Sequence, residues 1–462
     1  MIILSLVLAL YQGARIGVAR MKAECVADIS MNSVLSEYSR ALFDHYGLMM
    51  VDTSYGTGNH SIVNAQEHLR HYAQKNFDRS TVGGLAGAQT MTAMHCDDAS
   101  FLGYSMATDN GGMVLCRQIL AYMAAEPVEG LFTDVYQNID ALKEGGLDST
   151  DVEAMYRENQ QKIDAVELPE ETDEDGNSVP MAIGNPADAV NSQRGFGALN
   201  LAVRDRAEIS KAVVNLSEYA SNRKLFKGTG LNDDEKLSLS EKLLIEQYLY
   251  EKCSRYDETK EKALLKYQLE YLIYGKASDY GNLEKFAETL LFWREASNML
   301  YLFSCEEKVD EAKALASALS IIFFVPELED LIEYSILLAW TFAESISDLN
   351  ILFSGGRVPL FKSDSSWKLS ITNMFFFREH LHGGDCGEGL YYKDYLRMKL
   401  LMTDFDTKKN RLMDVIEMDV RKTAGNSKFK LDYCMDCFRA ELTIGTRYGY
   451  KAKIERIYGY EE

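Results

Sequence analysis

Four side chains that could bind a metal ion lie in one glycine-rich stretch, "EHLHGGDCGEG". They are His380, His382, Asp385 and Cys386. Imidazole, thiolate and carboxylate groups are ligands of zinc in proteins, but structural zinc sites favour Cys-x-x-Cys and His-x-x-x-His spacings. One His-x-His beside flexible glycines is more typical of an exposed turn. This loop is therefore the best metal candidate in the chain, and its spacing predicts no bound metal.

Two further groups contain reactive side chains. Cys434 and Cys437 have the spacing of a redox pair, but residues three apart on a strand face opposite sides, so we expect separate structural thiols. His95, Cys96 and Asp97 are sequence neighbours, whereas a nucleophile, its base and its orienting group normally converge from distant elements. Neither group predicts catalysis.

An acidic stretch, "ETDEDGNSVPMA", begins like a calcium-binding loop with Asp173, Asp175 and Gly176. Position 12 of that frame is Ala182, where a calcium loop needs a bidentate Glu. We therefore interpret the stretch as a solvated acidic linker.

The sequence contains no G-x-S-x-G, Walker A, Rossmann or H-E-x-x-H motif. Its 7 histidines leave few general bases that titrate near neutral pH. Trp340 and Trp367 could line a ligand groove, but their helical surroundings favour a core position. We predict no enzymatic activity, no catalytic residue and no cofactor.

The chain is acidic, with a net charge of -21 over 462 residues. An acidic surface repels phosphate backbones, so we predict no nucleic-acid partner. The 8 cysteines are scattered, which excludes a small disulfide-stabilised scaffold.

The first ten residues are apolar apart from Ser5, and Gln12 and Arg15 follow soon after. This is about half of the roughly 20 residues that a membrane-spanning helix needs. No basic residue precedes the apolar run, as one would in a secretory signal. Two interpretations remain: a membrane anchor whose true start lies upstream, which we favour, or a buried core helix.

The positive charges that follow the apolar run conflict with an extracytoplasmic position for the rest of the chain. Arg15, Arg20 and Lys22 follow the apolar run, and the positive-inside rule would hold them in the cytoplasm. The rule compares both flanks, so the orientation stays open.

Helical spacing continues to Gly47, a typical residue at a helix C-terminus, and Leu48 to Val51 is predicted to form a short strand. The tail 432–458 is rich in Tyr, Ile and Thr and contains a Gly-bearing turn, which predicts antiparallel strands. If these segments pair, both ends of the chain share one sheet.

The central region has helical periodicity. Ser238 and Glu241 have capping-box spacing, and further helices are predicted near 259–274, 282–304, 307–324 and 327–353. The stretch "LIEYSILLAWTFAESI" is apolar enough to cross a membrane. Glu333 and Glu344 favour a buried bundle helix instead, because carboxylates are costly in hydrocarbon.

These patterns predict an α+β fold that is predominantly helical, with a long N-terminal stem helix, a small antiparallel sheet that includes the tail, and a large helical-bundle insertion. The predicted regions are a stem helix (1–46), a pilin-like frame (47–165 and 385–462), an acidic linker and irregular segment (166–237), and a helical bundle (238–384).

Four stretches resemble an uncharacterised family of large membrane-anchored proteins that occur with Tad-type pilus systems, enlarged relatives of TadE-like pseudopilins. They are "ECVADISMNSVLSEYSRALFDHYGLMMVD", "KYQLEYLIYGKASDYGNLEKFAETLLFWREASNMLYLF", "LLAWTFAESISDLNILFSGGRVPLFKSDSSW" and "YYKDYLRMKLLM". The resemblance implies location and association more than chemistry, since that family has no established activity. It also implies an apolar extension before Met1.

We therefore expect a non-enzymatic protein held in the cell membrane by one N-terminal anchor, with the bulk of the chain extracytoplasmic. Its expected partners are the membrane and proteins of a Tad-type pilus or related export machine. The alternatives are a surface adhesin independent of pili, an intracellular interaction module, and a soluble hydrolase or metal-dependent enzyme that uses the His380–Cys386 loop.

Overall fold

The structure is a computed structural model. It describes residues 2–77, 93–124, 132–166, 170–172, 178–180, 185–203, 205–231, 236–322 and 325–460.

The described residues form an α+β fold dominated by helices, as predicted. The helices are α1 (Ile2–Leu35), α2 (Arg40–Tyr46), α3 (Ile62–Phe77), α4 (Asp109–Met123), α5 (Thr133–Glu144), α6 (Val152–Asp164), α7 (Pro186–Asn191), α8 (Ala198–Ala202), α9 (Leu239–Lys252), α10 (Gln268–Tyr274), α11 (Asp279–Ser304), α12 (Glu306–Ile322), α13 (Glu329–Phe353), α14 (Ile371–Met374), α15 (Tyr392–Met402) and α16 (Phe405–Lys422). The strands are β1 (Val51–Asp52), β2 (Met94–Met106), β3 (Glu170–Thr172), β4 (Ser178–Pro180), β5 (Cys434–Thr446) and β6 (Lys451–Gly459).

Strand β5 is the centre of the main antiparallel sheet. Strand β2 covers one edge of β5, while β1 and β6 lie along the other edge. Val51 is opposite Met435, which confirms that the two ends of the chain share a sheet. Strand β2 was not predicted, because bulges after Cys96 and Phe101 break its alternation.

The strand predicted at Leu48 to Val51 is shorter than expected. Strand β1 starts only at Val51, because the backbone of Met49 bonds to a side chain instead of a neighbouring strand. Its N–H donates to Gln118 Oε1 at 3.0 Å, and its carbonyl accepts from Gln118 Nε2 at 2.5 Å. The amide of Gln118 thus satisfies the groups that a sheet ladder would otherwise pair.

The predicted stem helix 1–46 is two helices. Helix α1 ends at Leu35, and α2 begins after Ser39, whose hydroxyl accepts from the N–H of Leu42. Gly47 has a φ of 72° and ends α2, as predicted. The capping box of Ser238 and Glu241 is also confirmed, at the start of α9.

The central helices lie close to their predicted positions, with one exception. Residues 259–267, predicted to be helical, are irregular before α10. The reason is Asp279, whose carboxylate accepts from the N–H groups of Lys266 and Tyr267 at 2.8 and 3.2 Å. Those donors are therefore not available to a preceding helical turn.

Helix α13 is long and apolar enough to cross a membrane, yet 94% of its apolar window is buried inside the protein. Glu344 lies within it and is fully buried. The structure thus confirms a core helix.

The hydrophobic cores do not follow the predicted regions. The largest core joins Leu42 of α2, Leu115 of α4, Leu290 of α11 and Val415 of α16. In the predicted linker 166–237, helices α7 and α8 bury apolar side chains against α13. The described parts of the frame, linker and bundle are therefore packed together.

Candidate functional site

Helix α1 has two halves with different surroundings. Residues 2–18 are exposed apart from a half-buried Arg15, and they include Ile2 at 84% and Leu10 at 66% exposure. The first buried residue is Ala19. Helix α1 has the length and hydropathy of a membrane-spanning helix, and only 6% of its apolar window is buried. It is therefore a candidate membrane anchor.

The second half of α1 packs on the sheet and on α3. Ala23 and Ala27 are fully buried, and their small side chains let the helix approach closely. They share a core with Leu69 of α3 and with Phe438 and Leu442 of β5. The candidate anchor thus continues directly into the half of α1 that packs on the folded body.

Glu37, just after α1, fixes this packing with three hydrogen bonds. Its carboxylate accepts from the hydroxyls of Tyr72 at 2.6 Å and Tyr55 at 2.9 Å, and contacts Nδ1 of His68 at 2.8 Å. The bond to Glu37 raises the pKa of Tyr72 to about 12. Tyr460, after β6, donates its hydroxyl proton to the carbonyl of Leu35. Side chains of α3 and of the segment before it, together with Tyr460, therefore hold the end of α1.

The predicted metal candidates do not converge on one point. His380 and His382 are exposed, with ring centroids 6.4 Å apart. Asp385 is paired with Arg357 at 3.1 Å, and burial raises the pKa of the Cys386 thiol. Within the described ranges, no group of three or more His, Cys, Asp or Glu side chains is arranged to hold a metal ion.

The two tail cysteines have different surroundings. Cys434 is fully buried, and burial raises the pKa of its thiol well above the ordinary value. Cys437 is half-buried beside Gly459. Both lie on β5, three residues apart along the strand.

The remaining side chains singled out from the sequence either contact other protein groups or lie outside the described residues. His95 Nε2 lies 2.9 Å from Asp97 Oδ1, and burial raises the pKa of Cys96 to about 11. Trp340 is fully buried, and both it and Trp367 donate to the carbonyl of residue 369, which confirms a core position for Trp340. The calcium-loop candidates Asp173, Asp175, Gly176 and Ala182 lie outside the described residues.

A buried group of four ionised side chains was missed by the sequence analysis. It consists of Arg294, Glu344, Asp348 and Lys362, and is called the charged cluster below. Lys362 Nζ lies 2.6 Å from both Glu344 Oε1 and Asp348 Oδ1, and Arg294 Nε donates to Asp348 Oδ2 at 2.9 Å. All four side chains are at most 1% exposed. Two cations balance two anions away from water.

The charged cluster binds the loop 357–369 to α11 and α13. Arg294 donates to the carbonyls of residues 359 and 360 at 2.7 and 3.0 Å. Glu344 accepts from the N–H groups of residues 368 and 369, both at 2.9 Å. Glu344 was a signal in the sequence, since it lies in the apolar stretch "LIEYSILLAWTFAESI".

The electrostatics of the charged cluster favour a structural role. Burial raises the pKa of Glu344, whereas for Asp348 the pull of Lys362 and Arg294 outweighs burial and holds the pKa below its usual range. Each charge is directed at a protein partner. The charged cluster therefore clamps three segments together and does not present a reactive group to a substrate.

A buried carboxyl on α10 makes stability depend on pH. Burial raises the pKa of Glu270 from 4.5 to about 7, and Oε1 accepts from the Tyr392 hydroxyl at 2.6 Å and the Tyr256 N–H at 3.0 Å. The folded protein therefore keeps a proton that the unfolded chain releases above pH 4.5. This contribution to stability is full below that pH and is lost as the pH rises through about 7.

We expect Glu270→Gln to remove this dependence, because Gln resembles the protonated side chain. The variant should gain stability relative to the native protein from about pH 4.5 to pH 7, by on the order of 3 kcal/mol at the upper end. Urea unfolding at several pH values measures the difference. Glu388→Gln, on an exposed residue, is the control, and parallel curves for all three proteins would contradict the assignment.

Comparison with known proteins identifies a family. The model of a family of unknown function, DUF5702, matches residues 176–446, more than half of the chain. The match contains the charged cluster and β5, and it lies after α1 and β2. Searches of curated proteins and of solved structures each found no match. The chain belongs to DUF5702, the family of unknown function whose model covers these residues.

Proposed function

We propose that the protein is a non-enzymatic, membrane-anchored protein whose folded body lies outside the cytoplasm. It acts in assembly, priming or surface contact of a Tad-type pilus or a related export machine. The observation that carries this proposal is α1, whose apolar first half projects from the body while its second half is packed. In water, such a row of exposed Ile, Leu and Val side chains is unfavourable, and a bilayer removes it from water.

The arrangement of α1 supports the pilus association. A long helix whose second half lies on an antiparallel sheet, with its apolar first half free, is the plan of a pilin-like protein. Here the tail strands β5 and β6 complete the sheet, and Glu37 holds the end of the helix. This plan would let the body be handled by pilus machinery while the first half stays in the membrane.

Charges placed in the anchor should release the protein from membranes. We expect Ile3→Asp with Leu8→Asp to move the protein from the membrane pellet to the soluble fraction, since each charge near the centre of a span costs about 2.5–3.5 kcal/mol. Carbonate extraction of cell membranes measures this. The matched control is Leu239→Asp with Phe376→Asp, two exposed apolar residues of the body, at 71% and 63% exposure. If the anchor variant fractionates like the native protein, the proposed membrane anchor is contradicted.

The pilus association has a separate test. A photo-crosslinker at Ile29, which is 50% exposed on the packed half of α1, should capture pilus or pseudopilin subunits in cells that assemble a Tad-type pilus. The same group at Val213, 71% exposed elsewhere on the body, is the control. If the crosslinker at Ile29 captures no pilus protein in cells where the protein is in the membrane, the pilus association is contradicted.

A further inference from the structure

An open cavity lies where three segments of the folded body meet. One wall comes from α11, another from α15, and the third from the segment that joins α5 to α6. Its volume is about 460 Å³, and small-molecule sites range over about 300–1,000 Å³. The cavity is therefore large enough for a small organic ligand.

Two walls of the cavity are apolar. Phe292 and Trp293 on α11 and Met402 on α15 line it. Trp293 is 3% exposed, whereas Phe292 and Met402 are half-buried. Aromatic rings and a thioether lose water when an apolar group covers them, which is favourable. These walls therefore favour a ligand with an apolar side chain.

The cavity also contains an ammonium group without a partner. Lys399 on α15 lines it and is half-buried, and its Nζ lies 6.0 Å from the centre of the Trp293 ring. Among the residues that the structure describes, this ammonium forms no ion pair and no hydrogen bond. Burial lowers its pKa, because the charged form is partly deprived of water. A carboxylate on a ligand would compensate for that loss.

Asp148 provides the opposite charge at the same cavity. It is exposed in the segment between α5 and α6, and no described residue pairs with its carboxylate. Its charge raises the pKa of the Lys399 ammonium against the effect of burial, but the two side chains do not form an ion pair. The other carboxylate of the lining, Glu288, is paired with Lys285 at 2.5 Å. The cavity thus presents one cation and one anion that are held apart.

We propose that this cavity binds a free α-amino acid with an apolar side chain, such as leucine. An α-amino acid carries a carboxylate and an ammonium on one carbon, so it can meet Lys399 and Asp148 together. Its carboxylate accepts hydrogen bonds from Lys399 Nζ, and its ammonium donates to the carboxylate of Asp148. Its side chain packs against Phe292 and Met402. A ligand with only one of the two charges would leave the other charge of the site unpaired.

Isothermal titration calorimetry of the full chain in neutral detergent tests the site, with L-leucine as the probe. The native protein should bind one equivalent of leucine. N-acetyl-leucine lacks the ammonium and leucine methyl ester lacks the carboxylate, so each should bind about tenfold more weakly. Glycine lacks the apolar side chain and should also bind at least about tenfold more weakly. Absence of leucine binding at millimolar concentration would overturn the proposal. Equal binding of leucine and N-acetyl-leucine would overturn the pairing of both charges and indicate a site for simple carboxylates.

Two variants assign the binding to this cavity. Lys399→Met keeps the length of the side chain but removes the ammonium, and should weaken leucine binding by about tenfold. Asp148→Asn should weaken it by about fivefold or less, because Asp148 is exposed. The matched control is Lys393→Met, which removes another cation of α15 outside the cavity and should leave binding unchanged. Circular dichroism confirms that the variants are folded. If folded Lys399→Met binds leucine like the native protein, or if Lys393→Met loses as much affinity as Lys399→Met, the cavity is not the site.

Discussion

Replacing Lys362 by Met is expected to destabilise the protein by about 3–5 kcal/mol, the usual cost of removing one partner from a buried ion pair. Glu344 and Asp348 would remain buried without the cation that contacts both at 2.6 Å. Methionine has a similar shape, so a cavity is not the cause. Chemical unfolding followed by tryptophan fluorescence is the measurement, because Lys362 Nζ lies 5.9 Å from the Trp367 ring.

Two controls separate buried charge from other effects. Lys285→Met removes an exposed cation paired with Glu288 on α11, and exposed pairs contribute about 0–1 kcal/mol. Adding Glu344→Gln to Lys362→Met leaves Arg294 and Asp348 balanced, so the double variant should recover most of the loss. If Lys362→Met and Lys285→Met cost the same, the charged cluster does not clamp the loop.

Deleting residues 430–462 should unfold the sheet and the packed half of α1, while helices between 238 and 354 keep their helicity. The deletion removes β5, which pairs with β1, β2 and β6. Without β5, the apolar residues of α1 and α3 lose the surface on which they pack. In contrast, α11, α12 and α13 contact one another directly. The region around Met49 should therefore become open to proteases.

Limited proteolysis measures whether the Met49 region opens, and circular dichroism measures how much helix remains. The helices between 238 and 354 are the internal control. Ala440→Pro provides a point variant, because Ala440 lies between Phe101 of β2 and Arg456 of β6 in the central strand. Proline there removes a ladder hydrogen bond and is poorly tolerated. Protection of the Met49 region equal to that of the intact chain would show that the shared sheet does not hold it.

Local patterns predicted the elements that depend on local interactions. The capping box at Ser238, the helix end at Gly47 and the strands of the tail all follow from residue types at short spacing. Helices α11, α12 and α13 follow from apolar periodicity. Even the burial of α13 was predicted, because a carboxylate such as Glu344 is costly in hydrocarbon.

The features that were missed depend on side chains distant in sequence. Gln118 takes the backbone bonds of Met49, and Asp279 takes the N–H groups that a helix over 259–267 would need. The charged cluster joins Arg294 to Asp348, 54 residues away, so no local spacing reveals it. The contact of Arg15 with the Tyr448 ring likewise requires the tail turn, which only the folded sheet brings to α1.

The position of β5 has a consequence for the order in which the chain folds during synthesis. Strand β1 ends at Asp52, and the strand that it pairs with begins at Cys434, 382 residues later. At about 5–20 residues per second, the ribosome takes roughly 20–80 s to reach that strand. Until then β1 and β2 lack the central strand with which they pair, and unpaired strand edges favour aggregation. Strand β5 therefore completes, late in synthesis, a part of the fold that α1 and β1 begin.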